Sequence, residues 1–220
     1  MSSELLKRII TSFFLLLLLA LMFSYTYILI ISLIVICIIS WIEFYALISK
    51  IYKKKNNNNK TIKFILKAAS LLYLSILIYL ILMAKLTNPE FEIFIIYSIL
   101  VSILTDIGGL VIGRIFKGRK LTRISPKKTI SGSIGSFIFS LLLIPFFIQS
   151  LPGLSLYLII FITMVISLSS QIGDLFISYL KRNAQVKNTS NLLPGHGGVL
   201  DRIDGIIFSI PVGFLTLYYF

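Results

Sequence analysis

TYILIISLIVICIISWIEFYALIS, residues 26–49, is an almost unbroken apolar run, and its single acid, Glu43, stands near one end. A helix rises about 1.5 Å per residue, so a run of this length covers the roughly 30 Å hydrocarbon core of a bilayer. Comparable runs recur on both sides of it. Spans are expected at about 9–24, 26–49, 64–85, 91–112, 131–149, 152–174 and 203–220. With 57% hydrophobic and 13% charged residues, and a mean hydropathy of +0.98, the chain is too apolar for a soluble domain. Backbone polar groups in lipid must be satisfied internally, which helices achieve within one segment. The predicted fold class is therefore all-α, a polytopic integral membrane helical bundle of about seven transmembrane helices.

Lys7 and Arg8 before the apolar stretch Ile9–Phe23 have the form of a secretory leader. The bulky Met22-Phe23-Ser24-Tyr25 gives no small-residue cleavage site, so this segment is expected to stay as the first span. The lone Cys37 lies inside an apolar run and reads as a small packing residue, with no disulfide possible within one chain. Asn88-Pro89 and Leu151-Pro152-Gly153 are turn signals between spans. The Lys/Asn-rich run at 53–60 reads as a solvated loop, with anionic headgroups as a secondary partner.

The net charge of +13 would suggest nucleic acid in a soluble protein. Here topology accounts for it. With the N-terminus in the cytoplasm and the C-terminus outside, basic residues collect in the N-terminal segment, in loops at about 50–67 and 114–128, and in the segment 181–202. These hold twenty of the 21 lysines and arginines, leaving Lys85 outside. The lipid bilayer is thus an expected partner and nucleic acid is not.

Chemistry is expected where polarity interrupts these runs. The stretch SYLKRNAQVKNTSNLLPGHGGVLDRID, residues 178–204, holds the only histidine, His196, and two of the four aspartates, Asp201 and Asp204. All four aspartates, with Asp106 and Asp174, fall at expected span ends or in this loop, and ionisable groups near membrane depth usually face a cavity. On a helix Asp174, Ser178 and Lys181 or Arg182 share one face. A carboxylate, a hydroxyl and a cation in a row suit a metal with phosphate better than lipid tails. Asp201 and Asp204, three apart, could reach one hard cation if helical, and magnesium with substrate phosphates is the usual arrangement. Gly195, Gly197 and Gly198 around His196 would let backbone amides approach a ligand. Upstream, DIGGLVIGRIFKGRKLTRISPKKTISG, residues 106–132, carries Gly109-x-x-x-Gly113, which equally reads as a helix-packing motif. Its Arg114, Ser125, Lys128 and Thr129 can contact phosphate, with Pro126 fixing a turn. Carboxylates for metal and cations for phosphate on one membrane face point to metal-assisted phosphoryl or nucleotidyl transfer.

Three blocks resemble the signature of the phosphatidate cytidylyltransferases. They are Asp106 through Gly113-Arg114 to Ser125-Pro126-x-Lys128-Thr129-x-x-Gly132; Gly173-Asp174-Leu175 with Ser178 and Lys181-Arg182; and Lys187 through His196-Gly197-Gly198 to Asp201-Arg202-x-Asp204. The resemblance covers about residues 102–207 and implies synthesis of CDP-diacylglycerol from CTP and phosphatidic acid, with pyrophosphate released. It implies magnesium held by Asp174, Asp201 and Asp204, with catalytic Lys181 and Arg182. It implies a substrate site of Asp106, Arg114, Ser125, Lys128, Thr129, Ser178, Lys187, His196, Gly197, Gly198 and Arg202. It further implies a homodimer in a bacterial inner membrane with the active site facing the cytoplasm, and leaves open a second, monovalent cation. Residues 1–101 then form an N-terminal membrane region and 102–220 a catalytic membrane domain.

The chain departs from the family pattern at Asn188, where an aspartate is common, at Ile177 for a frequent glutamate, at Ile130-Ser131 for Trp-Glu, and at Leu110 for a tyrosine. It also looks shorter at the N-terminal end than many members. The alternatives are a related CTP-dependent lipid transferase, an inactive paralogue and an anion transporter. A transporter would place charges at mid-membrane in several spans, whereas these acids stand at span ends.

Overall fold

The computed structural model describes residues 3–54, 60–87, 89–151 and 153–220. Asn88, Pro152 and residues 55–59 of the Lys/Asn-rich run lie outside the described residues. Among the described residues the regular structure is helical: α1 (Ser3–Ser24), α2 (Thr26–Lys54), α3 (Lys60–Thr87), α4 (Pro89–Phe116), α5 (Ile130–Leu141), α6 (Ile144–Phe147), α7 (Leu156–Asn183), α8 (Leu200–Ile203) and α9 (Ile206–Tyr219). Outside the helices the only β pairing among them is two isolated bridges, Lys120 with Thr129 and Leu193 with Gly197. Among the described residues five segments are long and apolar enough to cross a membrane: Thr26–Lys53, Lys60–Thr87, Phe91–Phe116, Ile130–Phe147 and Leu156–Asn183. The protein is an all-helical integral membrane protein.

One expected span is interrupted. The run at 131–149 breaks after Leu141, and Pro145 stands in the first turn of the following short helix. Proline has no N–H to donate and its ring collides with the carbonyl four residues back, here Leu141 itself. α5 starts where the Thr129 hydroxyl accepts from the Gly132 N–H at 3.0 Å, an N-cap.

The chain folds as two compact units, Met1–Leu82 with Leu180–Ile203, and Met83–Tyr179 with Asp204–Phe220. These are drawn differently from the division by motif content, since residue 101 lies within α4. In the unit built on α4, small residues let helices approach closely. A Cβ on Gly108 would stand 2.5 Å from the Gly135 carbonyl, and one on Gly109 2.8 Å from the Ser136 hydroxyl. The glycine motif of α4 is thus a packing seam against α5. Hydroxyls join α4 to α7: Tyr97 with Thr163 at 2.5 Å, Ser102 with Ser170 at 2.8 Å, and Thr105 with Ser167 at 2.8 Å. All six are buried, where an unpaired hydroxyl would be costly. The apolar core of this unit gathers Tyr97, Val101, Ile159, Ile162, Ile166 and Leu217.

In the other unit, the indole N–H of Trp41 on α2 donates to the Lys67 carbonyl on α3 at 3.1 Å. The Lys67 ammonium lies over the Tyr45 ring, 3.2 Å from its centroid. A cation over a ring face and a satisfied indole N–H tie these helices at a polar rim. The same unit carries the polar loop and α8.

Candidate functional site

In the unit built on α4, Asp174 and Ser178 lie one turn apart on α7, and the Ser178 hydroxyl donates to Asp174 Oδ1 at 3.2 Å. The helical spacing expected of these residues is therefore realised. Asp174 Oδ2 forms an ion pair with Lys128. Lys128 is delivered by the turn that Pro126 sets, in which the Lys128 N–H donates to the Ser125 carbonyl at 3.0 Å. Three expected site residues, Lys128, Asp174 and Ser178, thus meet directly. Ser125 lies in that turn and Thr129 serves as the cap of α5. Asp106 and Arg114 are on α4, both exposed. Gln171, three residues before Asp174, accepts from Ser133 at 2.5 Å, while its Nε2 is buried with no hydrogen-bond partner among the described residues.

Asp204 is brought close by glycine. A Cβ on Gly173 would stand 2.5 Å from the Asp204 carbonyl, so only glycine at 173 lets α7 meet that backbone. The Asp204 Oδ1 accepts from the Gly205 N–H at 3.0 Å. Asp174 and Asp204 offer hard carboxylate oxygens, and magnesium is ordinarily held by one or two carboxylates plus substrate phosphates. These two fit it by chemistry. Among the described residues no three His, Cys, Asp or Glu side chains form a metal-holding group.

In the other unit the polar loop is organised by two buried carboxylates. Asp201 Oδ1 takes the Lys181 ammonium at 2.6 Å. Its Oδ2 accepts from the Thr189 N–H at 2.8 Å, the Thr189 hydroxyl at 3.0 Å and the Gly198 N–H at 3.0 Å. Burial raises the carboxyl's pKa, but the Lys181 ammonium and the N–H groups of Gly198 and Thr189 outweigh it, leaving Asp201 below its ordinary 3.8. A carboxylate with four donors is a structural anchor. The expected metal ligand Asp201 is thus fully engaged by the protein itself.

The second anchor is Glu43 on α2, 3% exposed. Its Oε1 accepts from the Ser190 hydroxyl at 2.6 Å and the Val199 N–H at 3.1 Å. Its Oε2 accepts from the Thr189 hydroxyl at 2.7 Å and the Leu200 N–H at 2.9 Å. The glycines of the loop serve these contacts. A Cβ on Gly198 would stand 2.0 Å from Thr189 Oγ1 and 2.5 Å from Glu43 Oε2. Gly195 and Gly197 take positive φ, 76° and 89°. The close approach expected toward a ligand is made, in this state, to the protein's own carboxylates.

His196 is half-buried, its Nε2 3.3 Å from the Ser12 hydroxyl of α1, while the Thr11 hydroxyl donates to the Pro194 carbonyl at 3.0 Å. Arg182, Lys187 and Arg202 are exposed. Sequence reading named Asp201 and Lys181 without their pairing, and passed over Glu43, Thr189 and Ser190. A signal for Glu43 was present: it is the one acid of α2, and an acid in an apolar span marks a site by default.

The chain matches the model of the cytidylyltransferase family over residues 2–220. A phosphatidate cytidylyltransferase of Staphylococcus haemolyticus is 42% identical over 123 residues, covering 54% of this chain and 46% of its own. Those of Bacillus subtilis and Staphylococcus saprophyticus are 40% and 39% identical over 130 residues, covering 58% and 57% of this chain and 48% and 49% of theirs. The chain thus spans about half the length of these relatives. With the family model matched along nearly all of its residues, this helical membrane protein belongs to the cytidylyltransferase family.

Proposed function

We propose that the protein transfers the cytidylyl group of CTP to phosphatidic acid, giving CDP-diacylglycerol and pyrophosphate, a step of phospholipid biosynthesis. The observation that carries this reading is the family match over residues 2–220, with relatives that are phosphatidate cytidylyltransferases. A phosphate oxygen of phosphatidic acid forms a bond to the α-phosphorus of CTP as the bond from that phosphorus to the bridging oxygen breaks. The attacking phosphate is already anionic near neutral pH, so no general base is required. The protein's task is positioning and charge neutralisation.

Asp174 and Asp204 are the residues we assign to magnesium, which when bound would neutralise the triphosphate. Lys128, which pairs with Asp174, is the cation beside that carboxylate suited to hold a substrate phosphate. In the other unit, Arg182, Lys187 and Arg202 are exposed cations suited to phosphate, and Lys181 holds Asp201. We further propose seven crossings with the N-terminus in the cytoplasm, an active site on the cytoplasmic face of a bacterial inner membrane, and a homodimer. The bacterial relatives and the distribution of basic residues support this placement.

The test is incorporation of labelled CTP into phosphatidic acid by detergent-purified protein. Product that forms with magnesium and stops on chelation is expected. Protein that binds CTP without forming product refutes the activity.

A further inference from the structure

We infer that Glu43 is a positioning residue for the polar loop: one carboxylate on α2 gathers Thr189, Ser190, Val199 and Leu200 and so fixes the loop's shape. Glu43 lies 146 residues before Thr189 and 157 before Leu200, so none of its four contacts is local. Glu43 is 3% exposed, and its four partners are two hydroxyls and two backbone N–H groups, none of them a cation. Four neutral donors, two on each oxygen, are the arrangement that stabilises a buried anion without a cation.

The contacts also close the two ends of the loop on each other. Thr189 and Ser190 enter it, and Val199 and Leu200 leave it into α8. Between them run Pro194, His196 and the glycines. Thr189 is shared: its single hydroxyl proton lies between Glu43 Oε2 at 2.7 Å and Asp201 Oδ2 at 3.0 Å, so the two carboxylates share this one donor. The shape of the segment around His196 is therefore set by two carboxylates, Asp201 on the short helix α8 that follows the loop and Glu43 on the distant α2. The N–H groups of Val199 and Leu200 at the start of α8 would have no helical partner, and Glu43 supplies an acceptor from another helix.

This rests on the cytidylyl-transfer reading for its consequence in catalysis, and on geometry alone for its consequence in the loop. Substitution Glu43→Gln keeps the size but leaves one oxygen. The new amide NH2 then faces a hydroxyl, which can turn to accept from it, and a backbone N–H, which can only donate. Losing such contacts to a charged group amounts to about a tenfold change or more. Two readouts follow, in full-length protein in detergent. Hydrogen exchange at residues 198–200 should rise about tenfold while α4 amides keep their wild-type rates, and KM for CTP should rise about tenfold with kcat changed much less. Glu43→Asp, which keeps both oxygens on a shorter stem, should recover part of both losses.

Wild-type exchange at 198–200 in the Gln variant would overturn the proposal, as would faster exchange everywhere, which marks a general packing role. If the Gln variant does not fold, Ser190→Ala removes one donor from the same oxygen and leaves Glu43 in place. It should quicken exchange at 198–200, and no change there would overturn the proposal. A wild-type protein without transfer activity would refute the proposed function, and the exchange readout would still decide the role of Glu43.

Discussion

The Lys181–Asp201 pair gives the most direct test of how the polar loop is held. Their side chains retain 11% and 4% of their surface, so solvent screens the pair little. Removing one partner of such a pair strands the other charge and costs about 3–5 kcal/mol. Asp201→Asn is the informative change. The amide oxygen can keep the Thr189 and Gly198 donors, while the NH2 group is turned toward the Lys181 ammonium, donor against donor. Its expected cost is about 3–5 kcal/mol. Lys181→Met removes the cation and leaves the carboxylate its three neutral donors, an expected loss of about 1.5–3 kcal/mol. The double variant removes both charges and should recover about 2 kcal/mol of the summed losses. The assay is equilibrium unfolding in mixed micelles by denaturing detergent, with the four proteins compared as a cycle. Single variants within about 0.5 kcal/mol of wild type, or losses that simply add, would refute a buried pair that holds the loop.

Acid should loosen the same loop. Asp201 has its pKa lowered on folding, so its contribution is complete above the ordinary value of 3.8 and is lost as pH falls through the lower folded value; pepsin cleavage within 184–200 should set in below pH 3.8, and an onset at neutral pH would contradict this. Gly198→Ala should abolish folded protein or cost more than about 3 kcal/mol, because the new methyl would stand 2.0 Å from Thr189 Oγ1. Gly153→Ala, with open space around it but φ +86°, should cost only about 1 kcal/mol. Gly108→Ala should destabilise by about 1–3 kcal/mol, since its methyl would press on the Gly135 carbonyl and the Phe139 side chain, and a thermal-unfolding midpoint equal to wild type would speak against that α4–α5 seam.

The helices were legible because their signal is coarse: an apolar run of sufficient length needs no partner to be recognised. The Asp174–Ser178 face was legible for the same reason, being fixed by helical period alone. The break in the run at 131–149 could have been read from Pro145, whose ring forbids the Leu141 carbonyl its helical place. Pairings were not legible. Lys181 meets Asp201 across a loop, and Lys128 meets Asp174 from a different segment, so no spacing rule joins them. Glu43 was hidden by its surroundings, a single acid on a helix that otherwise reads as lipid-facing, with partners 146 to 157 residues away. The glycines of 195–198 announced close approach correctly but not its object, because a backbone stripped of side chains meets a carboxylate of the protein as readily as a phosphate.

Cytidylyl transfer is decided by which phosphorus of CTP enters the lipid. Purified protein would be given phosphatidic acid and magnesium with CTP labelled at the α- or at the γ-phosphorus, with Asp204→Asn alongside. Label from the α-position should appear in lipid and label from the γ-position in pyrophosphate, with neither from Asp204→Asn. Label from the γ-position in lipid, or none in lipid from folded wild-type protein, would contradict cytidylyl transfer.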